Sequence, residues 1–225
     1  MKNVNMTVET IVSRHGRPKD GAKREEIVMA ATHLFLQNGY ELTSMEAVAK
    51  QAGVSKLTIY SHFADKSELF RAIMAYRCDQ MKLPRDFTEL TALPPEQALT
   101  QIAATVAAII FREDSIRLQR IIHAEAVHHP EVVKSFYESG PKRIRVAFAD
   151  LLRAYDERGT LAIPDAALAT EQFFSVLKGE KLIRTLLLMA PVPTEAEIAA
   201  HVRNTVTFFL AAYRPCLSSQ ETDKK

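Results

Sequence analysis

An all-α fold is predicted from three features of the sequence. Apolar residues recur at i, i+3, i+4 spacing along most of the chain, and no stretch alternates convincingly with period two. Ser/Thr/Asp-x-x-Glu boxes ahead of apolar runs mark several helix starts. The β-branched residues are scattered rather than gathered into strand-length runs.

Taken in order, the first helix is predicted over 21–38, with Ile27, Ala30, Ala31, Leu34 and Phe35 on one stripe. Gly39 follows at the place where a left-handed residue closes a helix. Thr43-Ser-Met-Glu46 reads as a capping box in which the Thr43 hydroxyl accepts from the amide of Glu46 and the carboxylate returns to the amide of Thr43. A second helix therefore begins at 43 and ends near 51. Gly53 permits a tight turn, and 55–63 is long enough only for two helical turns, held to their neighbours through Ile59 and Phe63. Asp65-Lys-Ser-Glu68 opens a fourth helix with Leu69, Phe70, Ile73 and Met74 in phase.

Breaks at Leu83-Pro84 and Pro94-Pro95 make 84–95 a connector. Further helices are predicted over 95–111, 115–128, 131–157, 165–189 and 195–213. Their punctuation is His129-Pro130, Gly159 with Pro164, Pro191-Val-Pro193 and a capping box at Thr194-Glu-Ala-Glu197, and Gly140-Pro141 should interrupt 131–157. The chain divides into a basic arm (1–20), a helix-turn-helix unit with its connecting helix (21–83), a larger helical domain (84–213) and a polar tail (214–225).

With 225 residues, 47% apolar and 25% charged, the composition is that of a folded globular protein and argues against disorder. The longest near-continuous apolar run, 102–111, is about half the ~20 residues that cross a bilayer, so no membrane partner is expected. The first residues lack an apolar core with a cleavage site, which predicts a cytoplasmic protein. Cys78 and Cys216 fall in no CxxC or zinc-ligand spacing. None of the 7 glycines belongs to a dinucleotide or triphosphate loop, and no cofactor is expected.

Net charge is only +2, but its placement is uneven. Residues 1–75 carry 10 bases and 8 acids, whereas 76–225 carry 19 of each. Between Arg14 and Arg24 five bases, Arg14, Arg17, Lys19, Lys23 and Arg24, stand against Asp20 alone, so the surplus gathers toward the N-terminal arm.

The two short helices joined through Ala52-Gly53-Val54 and braced by the first make a helix-turn-helix, a shape that seats its second helix in a DNA major groove about 12 Å wide. That helix displays Ser55, Lys56, Leu57, Thr58, Tyr60, Ser61 and His62 and contains no acid, as approach to phosphates requires. One such helix offers few base contacts, so a two-fold pair reading a palindromic operator, with half-sites roughly 34–36 Å apart, is expected.

The run Thr43-Ser-Met-Glu-Ala-Val-Ala…Ala-Gly-Val-Ser-Lys-Leu-Thr-Ile-Tyr-Ser-His-Phe-Ala-Asp-Lys-Ser-Glu-Leu-Phe70 resembles the DNA-binding domain of the TetR/AcrR transcriptional regulators, over residues 22–74 without gaps. Ile-Ile-His-Ala-Glu125…His-Pro130 and Phe136-Tyr-Glu-Ser-Gly-Pro141 resemble the ligand-binding half of the AefR-like branch. The resemblance implies that Thr43 and Ser44 meet phosphates and that Lys56, Thr58, Tyr60 and His62 face the groove or its walls. Lys66 would reach a phosphate at the start of the fourth helix. Leu57 departs from the small residue common there; it either meets a thymine methyl or packs within the domain. Arg14 and Arg17, around Gly16 and Pro18, lie close to an Arg-Gly-Arg-Pro minor-groove hook, and either enter that groove, touch phosphates or form a solvated leader.

The resemblance further implies a ligand-responsive repressor acting as a homodimer on double-stranded DNA, with a small apolar or amphipathic effector that moves the fourth helix. Phe111, His123, Phe136, Phe148, Phe173 and Phe174 are candidates for the pocket, although aromatics at helical spacing also serve as plain core. In the family the last two long helices pair across the dimer, which nominates Phe173, Val176, Leu177, Ile183, Leu187, Val202, Val206, Phe209 and Leu210. Glu125 and His129 share a helical face at i, i+4, but they are read as helix-end polar packing, so no metal is expected. Arg14-His15-Gly16 matches a phosphatase string with no strand before it and is taken as chance. With no nucleophile-base pair in sight, an enzyme is not expected.

Overall fold

The structure, a computed structural model, describes residues 17–80 and 87–215. Arg14 and the arm up to Gly16, the Leu83-Pro84 break, Cys216 and the tail after it lie outside the described residues. Among the described residues every regular element is helical: α1 (Arg17–Asn38), α2 (Met45–Gln51), α3 (Lys56–His62), α4 (Lys66–Gln80), a 3-10 turn (Thr88–Ala92), α5 (Pro95–Ile110), α6 (Glu113–Glu125), α7 (Pro130–Ser139), α8 (Pro141–Glu157), α9 (Ala166–Leu186) and α10 (Glu195–Ala212).

Two apolar clusters organise these helices. The first gathers Ile27, Ala31 and Phe35 of α1, Val48 of α2, Ile59 of α3 and Phe70, Ile73 and Met74 of α4. It continues into Leu118 and Ile122 of α6 and Val132 of α7, so the head formed by α1–α4 is cored partly by residues of the body. The second cluster joins α5, α8, α9 and α10 around Phe111, Phe148, Tyr155, Phe173 and Phe209. Tyr155 donates its hydroxyl to the carbonyls of Leu90 (3.0 Å) and Leu93 (2.9 Å), fastening the 3-10 turn to α8. An ion pair, Arg77 Nη2 to Asp114 Oδ2 at 2.6 Å, ties α4 to the start of α6.

Most predicted boundaries lie within a turn of the observed ones, and the differences have local causes. α1 starts at Arg17, a turn before the predicted position. Pro18 fits the first helical turn, where its missing donor costs nothing. Gly39 has the left-handed φ of 80° that its closing role needs. The N-cap of α2 is Ser44, whose hydroxyl accepts from the amide of Ala47 at 3.1 Å, and not Thr43. Thr43 is buried and donates to the carbonyls of Gly39 (2.8 Å) and Leu34 (3.3 Å). Ahead of α4, Asp65 accepts from the amide of Glu68 at 2.7 Å, while the Glu68 carboxylate takes the amide of Ala64 at 2.8 Å. The box at Thr194 is complete, with Glu197 returning to the Thr194 amide at 2.8 Å. Gly140-Pro141 separates α7 from α8 as expected.

An unpredicted break lies inside α9. Gly179 has φ 51° and ψ −171°, outside every helical region, and the helix resumes beyond it in a new direction. The carbonyl of Leu177, left over at the break, is met by Nε2 of His201 from α10 at 2.8 Å.

Candidate nucleic-acid interface and interior cavity

α3 is held by one face and displays the other. Ile59 and the C-cap residue Phe63 are buried, and the Arg24 guanidinium of α1 covers the Phe63 ring at 4.6 Å. The Ser55 hydroxyl caps the helix by accepting from the Thr58 amide (3.0 Å) and pairs with the Thr58 hydroxyl at 2.8 Å; Ser61 bonds back to the Thr58 carbonyl at 2.7 Å. Those hydroxyls are thus engaged in shaping the helix. Leu57, 81% exposed, and Tyr60, 41% exposed, project outward, which decides against internal packing for Leu57. His62 is half-buried against Phe63, ring centroids 6.4 Å apart.

Lys56 reaches across to Glu46 of α2, Nζ to Oε1 at 2.6 Å, and lies 5.8 Å from the Tyr60 ring centre. The hydrogen bond and the charge of Glu46 hold the lysine above its ordinary pKa, and the same bond holds Glu46 below its own. Sequence reading had assigned Glu46 to a capping box; it is instead the acid facing the exposed α3. Both groups are open to water, so a phosphate approaching Lys56 competes with a weak surface pair.

Two residues expected to touch phosphates are placed otherwise. Thr43 is buried beneath the α1–α2 turn. Lys66 donates to the carbonyls of Tyr40 (2.9 Å) and Glu41 (3.3 Å), with its ammonium 4.3 Å from the Tyr40 ring centre, so it fastens that turn to α4. Ser44 is exposed.

Between α5, α6, α7, α8 and α9 lies a cavity of about 260 Å³ with largely apolar walls. Of the six expected lining residues, His123, Phe136 and Phe174 reach it. Phe111, Phe148 and Phe173 do not: each is buried, Phe148 stacks on Phe173 with centroids 4.5 Å apart, and Phe111 lies edge-on to His201. Residues that sequence reading missed supply most of the polarity of the walls: Ser115, Gln119, Arg145 and Lys178. Lys178 follows Phe174 by four residues and so shares its face of α9, the one local sign of its place. A larger, more open groove of about 700 Å³ runs between the 3-10 turn and α8, past Thr91, Lys142 and Asp150.

Glu125 and His129 do not stand alone. Glu41, from the turn after α1, brings its carboxylate to them, and one ligand atom from each of the three lies within 4.8 Å of the others. Glu125 is buried, with Oε2 lacking a hydrogen-bond partner. His128 lies outside this group.

Four of the residues nominated for a dimer seam, Leu177, Val202, Val206 and Phe209, are buried within the protomer's own core together with Phe173. Ile183 and Leu187 are exposed, and Val176 and Leu210 are half-buried. Phe208 of α10 (60% exposed), which lies beside Val176 of α9, and Leu188 and Met189 after α9 are exposed as well. No described helix is long and apolar enough to cross a membrane.

Residues 27–73 match the model of the bacterial regulatory proteins of the tetR family, and residues 97–215 match that of the AefR-like transcriptional repressor C-terminal domain. A TetR-family transcriptional regulator of Mesorhizobium loti MAFF303099 superposes with a TM-score of 0.78 at 30% identity, over 88% of this chain and 100% of that one. The flavonoid-responsive regulator FrrA gives 0.72 at 32% identity, over 87% and 99%. In sequence, the transcriptional activator FasR of Mycolicibacterium smegmatis is 36% identical over 64 residues, 28% of this chain and 29% of FasR. The match therefore spans less than a third of that relative's length.

Proposed function

The chain belongs to the TetR family of bacterial transcriptional regulators, in its AefR-like branch, and from that premise we propose that it is a homodimeric repressor released from a palindromic operator by a small apolar or amphipathic effector. Residues of α3 read the operator, and the observation that carries this is the display of Lys56, Leu57 and Tyr60 on a helix anchored from behind by Ile59 and Phe63. The leucine suits a thymine methyl, the tyrosine a phosphate or base edge, and the lysine a phosphate.

The cavity supports the effector half of the reading. Leu118 and Ile122 line it and at the same time belong to the apolar cluster that cores the head. A ligand that spreads or draws together α6 and α7 therefore acts on side chains packed against α4. Differential affinity for two head positions is all that induction needs, and a tenfold loss of operator binding corresponds to about 1.4 kcal/mol of coupling. FrrA, similar over nearly the whole chain, is by its name a flavonoid-responsive regulator, in keeping with a small organic effector.

Dimerisation is assigned to the last two helices, where Ile183, Leu187 and Phe208 are large apolar residues left exposed, as residues of an association surface are. Genome-wide mapping of bound sites followed by footprinting supplies the operator. On it, Lys56→Ala should weaken binding and reduce the salt slope by roughly one, and Tyr60→Ala should weaken binding with the dimer intact. Unchanged affinity of both variants at fixed salt would exclude α3 as the reading helix.

A further inference from the structure

We propose that the effector is a small anionic amphiphile, an organic acid whose charged end is held by Lys178 and Arg145 while its body lies along Phe136, Ile144 and Phe174. The inference rests on the reading of the cavity as the effector site and assigns the chemistry of that site.

The walls carry two basic side chains and no acid. Arg145 of α8 lies with its guanidinium 5.4 Å from the Phe174 ring centre, and Lys178 projects from the next turn of α9. Among the described residues neither forms an ion pair, and both are half-buried. Charges that face an apolar space are ordinarily paired, and two like charges there raise each other's cost. Burial, and then the charge of Arg145, pull the Lys178 ammonium below the ordinary lysine value. An entering anion reverses both effects.

The remaining polar groups fit the same occupant. The Ser115 hydroxyl lines the cavity, is 4% exposed and has no hydrogen-bond partner, so it is available to an incoming oxygen. His123 is tied through Nδ1 to the carbonyl of Gln119 at 2.6 Å and adds no negative charge. A cation would meet two positive charges here, and a neutral hydrocarbon would leave both unpaired. A cavity of about 260 Å³ has room for an eight-carbon chain with its acid group.

Calorimetric titration of the full-length protein with three eight-carbon probes tests this: octanoate, octanol and octylammonium. Octanoate should bind at least about tenfold more tightly than octanol, the value of one charge-assisted contact, and the ammonium should not bind. Lys178→Met and Arg145→Met should each remove most of the preference for octanoate while octanol affinity holds or improves, with circular dichroism establishing that the variants fold. Octanol binding as tightly as octanoate, or both variants retaining the preference, would overturn the charge assignment and leave the cavity as a site. Binding by none of the three would instead remove the cavity as the effector site, and the assignment with it.

Discussion

Replacing Gly179 by alanine isolates the cost of the break in α9. A Cβ built at this position meets Cε1 and Nε2 of His201 at 3.7 and 3.9 Å, ordinary contact distances, so crowding contributes little. The backbone does contribute: φ 51° with ψ −171° is a combination that residues bearing a Cβ scarcely adopt, and holding one there costs about 1–3 kcal/mol. Asparagine gives no relief, because ψ lies far from the left-handed helical region that asparagine tolerates. For a chain of this size each kcal/mol moves the thermal midpoint by roughly 2–4 °C, so Gly179→Ala should lower it by about 2–12 °C in differential scanning calorimetry at fixed protomer concentration. Gly21→Ala is the internal control. Gly21 lies exposed inside α1 with nothing within 4 Å of its built Cβ, and the exchange should stabilise by roughly 0.5–1 kcal/mol. A midpoint for Gly179→Ala equal to or above that of the parent would refute the argument, since α9 would then run as well without its break.

Asp114→Asn should cost roughly 1.5–3 kcal/mol in chemical denaturation, because it removes a charge-assisted bond and leaves Arg77 nearly buried without its acid. The pH dependence has a definite sign. Burial raises the Asp114 carboxyl, but the hydrogen bond and charge of Arg77, joined by Arg112, outweigh it and hold the group below its ordinary value. Its contribution is therefore complete above the unfolded value near 3.9 and is lost as pH falls through the lower folded one. The difference between parent and Asp114→Asn stability curves should be flat from pH 5 to 8 and shrink below about pH 4; a difference that grows on acidification would contradict the pair. Phe208→Asp places a charge on the exposed face of α10 and should yield monomers in sedimentation velocity, with the helical spectrum kept and operator affinity lost together. Val206→Asp, in the protomer core, should unfold the chain instead.

Local signals carried most of the helix map. The box at Thr194, the left-handed Gly39 and the proline after Gly140 are each decided by a few adjacent residues, and each stands where the sequence puts it. Choices between neighbours were not legible. Thr43 and Ser44 are both good caps; the contact of Thr43 with the end of α1 removes it from the competition. Phe208 and Phe209 are adjacent aromatics, and only the second turns inward, onto Phe148 and Phe173. The cavity was the least readable feature. Arg145 and Lys178 come from different helices and meet only through the α8–α9 packing, and Glu41 reaches Glu125 and His129 from the other side of the chain's fold. Aromatic count pointed instead to Phe111, Phe148 and Phe173, which are filler in the core.

The apolar cluster shared by α1–α4 with Leu118, Ile122 and Val132 bears on how such regulators are recombined. A fragment cut in the connector after α4 would strip three body residues from the cluster that holds Phe70, Ile73 and Met74. A chimera that grafts a foreign reading head onto this body must carry matching side chains at 118, 122 and 132. Otherwise the transplant inherits an operator preference but no means of sensing what occupies the cavity.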